Sequence, residues 1–235
     1  MKYKLFLLCL FIFANCLLFA ESPFSIGLNG GYTHSNVYFD FKNGFDSYNP
    51  NYNGYDDYSN ISFGNNYGIL FSYEINKNVN INTEINYVIF KNKKNYEYSI
   101  PDGSDGIFTS NTTVSYLNIP LLFNYKINYK SFNFSIKTGP WINILLNSED
   151  KMLLKGHGPE FGRPFTIDTT LNLKDSINNI DYGLNISYKM GFEINKNFEI
   201  FINNAYYLGM RDIFKLQSDI KNNYYNINIG LMYKL

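Results

Sequence analysis

Ile180-Asp181-Tyr182-Gly183-Leu184-Asn185-Ile186-Ser187-Tyr188-Lys189-Met190-Gly191-Phe192-Glu193-Ile194 alternates without a break between apolar side chains and polar or small ones. A helix would scatter the two sets around its axis, whereas a strand sends them to opposite faces. The stretch therefore reads as a strand with one apolar and one polar face. Phe198, Ile200, Ile202, Asn204, Tyr206, Leu208 and Met210 repeat the split against Glu199, Asn203, Ala205, Gly209 and Arg211. So do Val79, Ile81, Thr83, Ile85, Tyr87 and Ile89 against Asn80, Asn82, Glu84 and Asn86. Further rows run Leu117 to Ile127, Phe132 to Ile144 and Tyr225 to Leu235. Shorter ones, Ile69 to Ile75 and Phe24 to Tyr32, bring the total to about eight strands.

The connections alternate in length. Positions 76–78, 128–131 and 195–197 are tight polar turns, while 42–60, 99–111, 147–176 and 213–222 are long and rich in Gly, Asp, Asn and Pro. Tyr73-Glu74-Ile75-Asn76-Lys77-Asn78-Val79 reads like Phe192-Glu193-Ile194-Asn195-Lys196-Asn197-Phe198, one hairpin solution used twice. Two-faced strands have two outlets. Two sheets bury their apolar faces together, or one sheet closes and turns that face to lipid. Rows of roughly 10 residues suffice to cross a bilayer when tilted. Tyr and Phe cluster toward the row ends, as interfacial girdles require. The opposite face carries both signs of charge: Glu74, Glu84, Lys126, Lys137, Asp181, Lys189, Glu193, Glu199, Arg211 and Lys234. The reading is all-β: an eight-stranded antiparallel transmembrane up-and-down β-barrel with short periplasmic turns and long external loops. A secreted sandwich with a solvated polar face is the alternative.

The N-terminus indicates the compartment. Lys2 and Lys4 precede an apolar run ending near Ala20, the layout of a secretory signal peptide, so residues 1–20 are assigned to the signal and 21–235 to the barrel. A retained anchor helix is the alternative, but the apolar stretch is short for a span. Cys9 and Cys16 both lie in this segment, so the mature chain has no thiol, disulfide or cysteine metal site. Cys16 as a lipidated residue fits poorly beside Phe13 and Asn15. The full chain carries 20 basic and 20 acidic residues, and loss of Lys2 and Lys4 leaves a charge of −2. No polyanion footprint exists, which excludes nucleic acid as a general partner.

Tyr116-Leu117-Asn118-Ile119-Pro120-Leu121-Leu122-Phe123-Asn124-Tyr125 resembles the aromatic-Leu-x-Ile-Pro-Leu-Leu signature of the bacterial outer membrane protein beta-barrel domain family, also labelled porin family or PorT-like. Thr138-Gly139-Pro140-Trp141, Tyr207-Leu208-Gly209-Met210-Arg211-Asp212-Ile213 and the terminal Asn228 to Leu235 are similar to its later strands, in order. Asp212 stands where the family has Asn, and Leu235 where it has a terminal Phe. The resemblance implies an integral barrel of the bacterial outer membrane, with outer-membrane lipid and the barrel assembly machinery as partners. It implies no shared catalytic or binding residues. Pro120, which removes a ladder donor, is expected to point inward with Asn118 and Leu122 at a bulge or bend.

Eight strands leave an interior that side chains can fill. Acids and bases from neighbouring strands would meet there, so Glu84, Lys137, Asp181, Lys189, Glu199 and Arg211 are expected as a neutralised, closed lumen. Chemistry is sparse: His34 and His157 are the two histidines. Adjacent His34 and Ser35 point to opposite faces of a strand and cannot pair, so no catalytic residue is named. Loop acids Asp46, Asp56, Asp57, Asp102 and Asp105 lack calcium-loop spacing, and neither metal nor cofactor is expected. The loops supply binding candidates: Tyr48, Tyr52, Tyr55 and Tyr58 in the first, and Phe161, Arg163 and Phe165 in the third. The third loop, which also holds Met152, Leu153 and Leu154, is too apolar to be wholly solvated. It is expected to plug the mouth or to meet another protein. The functional expectation is a non-enzymatic envelope scaffold or surface-binding protein acting on an extracellular or envelope partner. A narrow porin-like channel is the alternative, and a lipid-modifying enzyme a third class.

Overall fold

A computed structural model describes residues 23–35, 62–99, 105–157, 164–215 and 221–235. The signal segment and Tyr48, Tyr52, Tyr55, Tyr58, Phe161 and Arg163 lie outside the described residues. Nine strands follow one another: β1 (Phe24–Ser35), β2 (Ser62–Asn76), β3 (Val79–Ser99), β4 (Asp105–Tyr129), β5 (Phe132–His157), β6 (Pro164–Asn172), β7 (Ile180–Glu193), β8 (Phe198–Gly209) and β9 (Tyr224–Lys234).

Eight of them close a ring. The order β1-β2-β3-β4-β5-β7-β8-β9 returns to β1, and every neighbouring pair is antiparallel. Closure rests on the ladder from Ser25↔Lys234 to Ser35↔Tyr224, which leaves the ring without an edge. The alternation decides the faces. Leu28 is 64% exposed and Ile136 66%, whereas Lys137, one position on, is 0% exposed. Apolar side chains thus cover the outside and polar ones fill the inside, the inverse of a water-soluble fold.

Aromatic pairs mark the two ends of the outer apolar band. Phe24–Tyr73, Phe132–Phe192 and Phe198–Tyr233 meet at 4.9, 5.1 and 4.8 Å at the short-turn end. Tyr32–Phe63 and His34–Phe63 meet at 5.8 and 5.3 Å at the other. The repeated hairpin is one solution in atomic detail. Asn76 Oδ1 accepts from the Asn78 amide, and Asn195 Oδ1 from the Asn197 amide, both at 2.9 Å. The second Asn of each then donates across to a lysine carbonyl of the neighbouring strand, Asn78 to Lys126 and Asn197 to Lys234. Each turn therefore pins three strands at once.

Two outer connections differ from the expectation that they are loops. Residues 99–111 and 147–176 are largely strand: β3, β4 and β5 continue past the ring, and β6 adds to β5 from Glu149↔Asn172 to His157↔Pro164. The result is a four-stranded platform, β3-β4-β5-β6, standing above one side of the barrel. Nine paired residues at about 3.3 Å each carry it roughly 30 Å along the strand direction. Both of its faces lie beyond the apolar band, so its residues do not follow the alternation of the rows below. One bulge reorganises β5: Tyr116 pairs with Leu145 and Ser115 with Asn147, leaving Leu146 as the extra residue. Facing parity flips there, so Trp141 and Asn143 point inward below it and Ser148 and Asp150 above. Pro120 is buried on the inner side. The β3–β4 ladder lapses beside it between Thr83 and Asn86, and the Thr83 hydroxyl donates to its carbonyl at 2.9 Å.

Candidate functional site: a layered lumen and an external platform

The lumen has a charged layer toward the short turns and an aromatic layer toward the platform. Alternation on β3, β5, β7 and β8 sends Glu84, Lys137, Lys189 and Glu199 inward, each at most 3% exposed. Lys137 Nζ lies 3.8 Å from Glu84 Oε1, and Lys189 is bonded to Glu199. Lower down, Glu193 bridges Lys126 at 3.6 Å and Lys234 at 3.2 Å. Asn29 and Asn86 donate to Glu84 Oε2 at 3.2 and 3.0 Å, and the Lys189 ammonium stands 5.2 Å from the Phe201 ring centre. Acids and bases are interleaved, pair by pair, with no separate positive and negative walls. That arrangement compensates buried charge locally, which is the condition for keeping it out of water.

Asp181 sits higher, buried, and accepts from Asn222 at 2.9 Å. Arg211 is not in the lumen: it is exposed at the rim, donating to the Ile180 carbonyl at 3.0 Å and to Asn178 at 3.4 Å. Strand β8 ends at Gly209, so the alternation that would have turned Arg211 inward no longer applies.

The aromatic layer has no local signature in the sequence beyond large rings standing in what is otherwise a row of Asn, Ser and Lys. Trp141, Tyr207, Tyr224, Phe90 and Tyr116 share the inward parity of the polar residues. Tyr207 and Tyr224 stack at 4.3 Å and 7°, and Trp141 meets each edge-on at 5.9 and 5.8 Å. Phe90 packs on Tyr224 at 5.3 Å, and the Tyr224 hydroxyl accepts from Asn118 at 3.0 Å. Gly183 makes the room: a Cβ there would lie 2.9 Å from Trp141 Cζ2. Leu173, Ile177, Ile213 and Phe214 close over the rings, with Ile177 and Phe214 bridged through their backbones. The mouth is thus plugged by the 173–177 and 213–214 segments. Met152, Leu153 and Leu154, expected either to plug the mouth or to meet another protein, belong to β5 in the platform and not to the plug.

The platform is two-faced. Cross-strand register puts Phe108, Leu154 and Ile167 in one line, and Met152 with Thr169 and Asp150 with Leu171 in the next two, on the lumen-side face. Ile167 and Leu171 remain 54% and 42% exposed. Phe165, expected in a loop, is a half-buried member of β6 opposite Gly156. The edge of β6 away from β5 pairs with no strand among the described residues. Asp150 is buried under this face and accepts from Ser110 at 2.8 Å. His34 packs on Phe63 on the outer wall, while Ser35 and Ser62 are buried on the lumen side. Among the described residues no group of three or more His, Cys, Asp or Glu side chains is placed to hold a metal ion.

A closed ring of strands with an apolar outside and a charged inside is the physical signature of a barrel that lives in lipid. The sequence model of the Outer membrane protein beta-barrel domain matches residues 14–215. The chain belongs to this family. It is a β-barrel of the bacterial outer membrane, with its short turns toward the periplasm and the platform outside. Solved structures similar to this barrel include Neisserial surface protein A, at 11% identity over 91% of this chain and 98% of that one, TM-score 0.44. Others are OprG of Pseudomonas aeruginosa (9%, 91% and 98%, TM-score 0.41) and the protease OmpT of Escherichia coli (11%, 94% and 100%, TM-score 0.38). No curated protein matches the chain. In this outer-membrane barrel the charged layer lies on the periplasmic side and the aromatic plug on the external side.

Proposed function

We propose that this outer-membrane barrel is a non-enzymatic, non-conducting surface-binding protein that presents the β3–β6 platform to an extracellular or envelope protein. The observation that carries the reading is the plug: five inward rings under an apolar cap fill the external half of the lumen. The paired charges below leave no field gradient of one sign for a solute to follow. What supports the binding role instead is a sheet with an exposed apolar row and, among the described residues, an edge of β6 that pairs with no strand, the kind of template that extended polypeptides pair with.

A narrow channel is the second reading, and one observation favours it. Ser135 Oγ, Ser187 Oγ and Asn203 Oδ1 are buried without a hydrogen-bond partner among the described residues, and such atoms are ordinarily satisfied by water. A hydrated periplasmic vestibule would follow, ending blind at Trp141 unless the plug moves.

Two measurements test the proposal. Refolded mature protein, verified by its heat-modifiable band on a gel, is expected to be silent in a planar bilayer. Discrete, reproducible conductance steps would overturn it in favour of the channel. Photo-crosslinkers at Ile167 and Leu171 in intact cells are expected to trap a discrete protein adduct that the same group at lipid-facing Ile186 does not. Identical patterns at all three positions would remove the surface-binding role.

A further inference from the structure

A second feature of the outer wall is independent of the plug and of the platform's apolar face. On β3 the lipid-facing row Ile85, Tyr87, Ile89 is followed, on the same face, by Lys91 and Lys93. Lys91 pairs in register with Phe63, which packs on Tyr32 and His34 in the external aromatic band. Aromatic belts lie at headgroup depth, so these ammonium groups stand where the hydrocarbon ends.

Register brings a third cation to them. Lys93, Asn111 and Lys151 form one line across β3, β4 and β5. At about 4.8 Å per strand, the two lysine backbones are roughly 10 Å apart, with the amide of Asn111 midway. Lys91 lies one alternation below, beside Thr113. Where β2 stops and β3 runs on, a cleft of about 420 Å³ opens, lined by Phe63, Lys91, Lys93, Asn111 and Thr113 among others. Among the described side chains no carboxylate forms an ion pair with Lys91 or Lys93. Among the described residues Lys151, itself exposed, pairs with half-buried Glu149 at 3.6 Å; Glu149 stands beside Thr113 in register, and this pair at the water boundary is weak enough for a stronger anion to displace.

Two ammonium groups, a side-chain amide and a hydroxyl line the cleft, Lys151 stands one strand beyond Asn111, and an apolar wall lies directly beneath; together they match an amphiphile whose head is a phosphate. A soluble anion would have no use for the wall, and a neutral lipid none for the charges. We propose that Lys91, Lys93 and Lys151, with Asn111 and Thr113 between them, bind the phosphate group of an outer-leaflet lipid, its acyl chains running down over Phe63 and the β3 row.

The test uses full-length mature barrel refolded in phosphatidylcholine nanodiscs doped with phosphatidic acid. Phosphatidic acid carried through detergent extraction is then counted per barrel by native mass spectrometry. The triple variant Lys91→Gln, Lys93→Gln, Lys151→Gln is expected to weaken retention roughly 100-fold, the effect of removing three interfacial cations. The single variant Lys93→Gln is read alongside, so that a folding defect in the triple cannot mask the answer; it is expected to fall several-fold. A matched control, Lys174→Gln, Lys215→Gln, Lys221→Gln, removes the same charge from the external cap and is expected to retain the lipid. Equal loss in the control would mean diffuse electrostatics and would overturn the site. Displacement of the lipid by inorganic phosphate at concentrations equal to the lipid's own would also overturn it, because the apolar wall would then contribute nothing.

Discussion

Replacing Glu84 by Gln asks whether the barrel interior is dry. Glu84 and Lys137 come from β3 and β5, stand 3.8 Å apart, and are 2% and 0% exposed. At that distance their attraction is about 4 kcal/mol at an effective dielectric of ~20, but only about 1 kcal/mol at ~80. Glu84→Gln keeps an oxygen for the Asn29 and Asn86 donors and deletes only the charge. In a closed lumen it strands the Lys137 ammonium and should cost about 3–5 kcal/mol, near a thousandfold in the unfolding equilibrium. Lys137→Met should cost a similar amount by stranding the carboxylate. The double variant should recover most of the loss, because no uncompensated charge remains. The assay is urea unfolding of the barrel refolded in phosphatidylcholine vesicles, followed by the emission of Trp141. That residue is the chain's single tryptophan and is 2% exposed in the plug. Single-variant losses under about 1 kcal/mol, adding without coupling in the double, would refute the closed lumen and point to water-screened charges.

Two further perturbations probe the ends of the barrel. Trp141→Ala removes the ring that Tyr207 and Tyr224 both pack against and should cost about 3–5 kcal/mol. This variant has lost its fluorophore, so the loss is read from the urea midpoint of the heat-modifiable band; an unchanged midpoint would mean the plug is loosely packed. At the periplasmic end Lys130 holds a φ of 54°, a left-handed conformation costing a side chain about 1–2 kcal/mol. Lys130→Gly should relieve it, offset in part by the added freedom of the unfolded chain, for a net gain under about 1 kcal/mol. A loss in the same unfolding assay would show that Lys130 makes a contact, such as that with the Tyr129 ring at 5.7 Å, worth more than the strain.

Local pattern alone is enough to set the ring's strands, their faces and their hairpins. Alternation at Ile180–Glu193 is a property of the chain alone, since a period of two assigns each side chain to a face before any partner is known. The same holds for Glu84, Lys137, Lys189 and Glu199, whose inward parity is local, and for the Asn-Lys-Asn turns, whose hydrogen bonds span two residues. Which side chains meet across the lumen depends on closure and register. Glu84 and Lys137 lie on strands separated by β4, and nothing short of closure and register sets them 3.8 Å apart. Trp141, Tyr207 and Tyr224 carry the parity of the polar row, so alternation files them with asparagine and serine; that they converge into a plug depends on the height at which each strand holds its ring. Leu146 flips the facing of everything after it on β5, and no local signal announces one extra residue. Strand β6 and the outward runs of β3, β4 and β5 lie where water replaces lipid. The solvent that wrote the two-faced pattern is absent there, and a strand with neither face in lipid has little reason to declare itself.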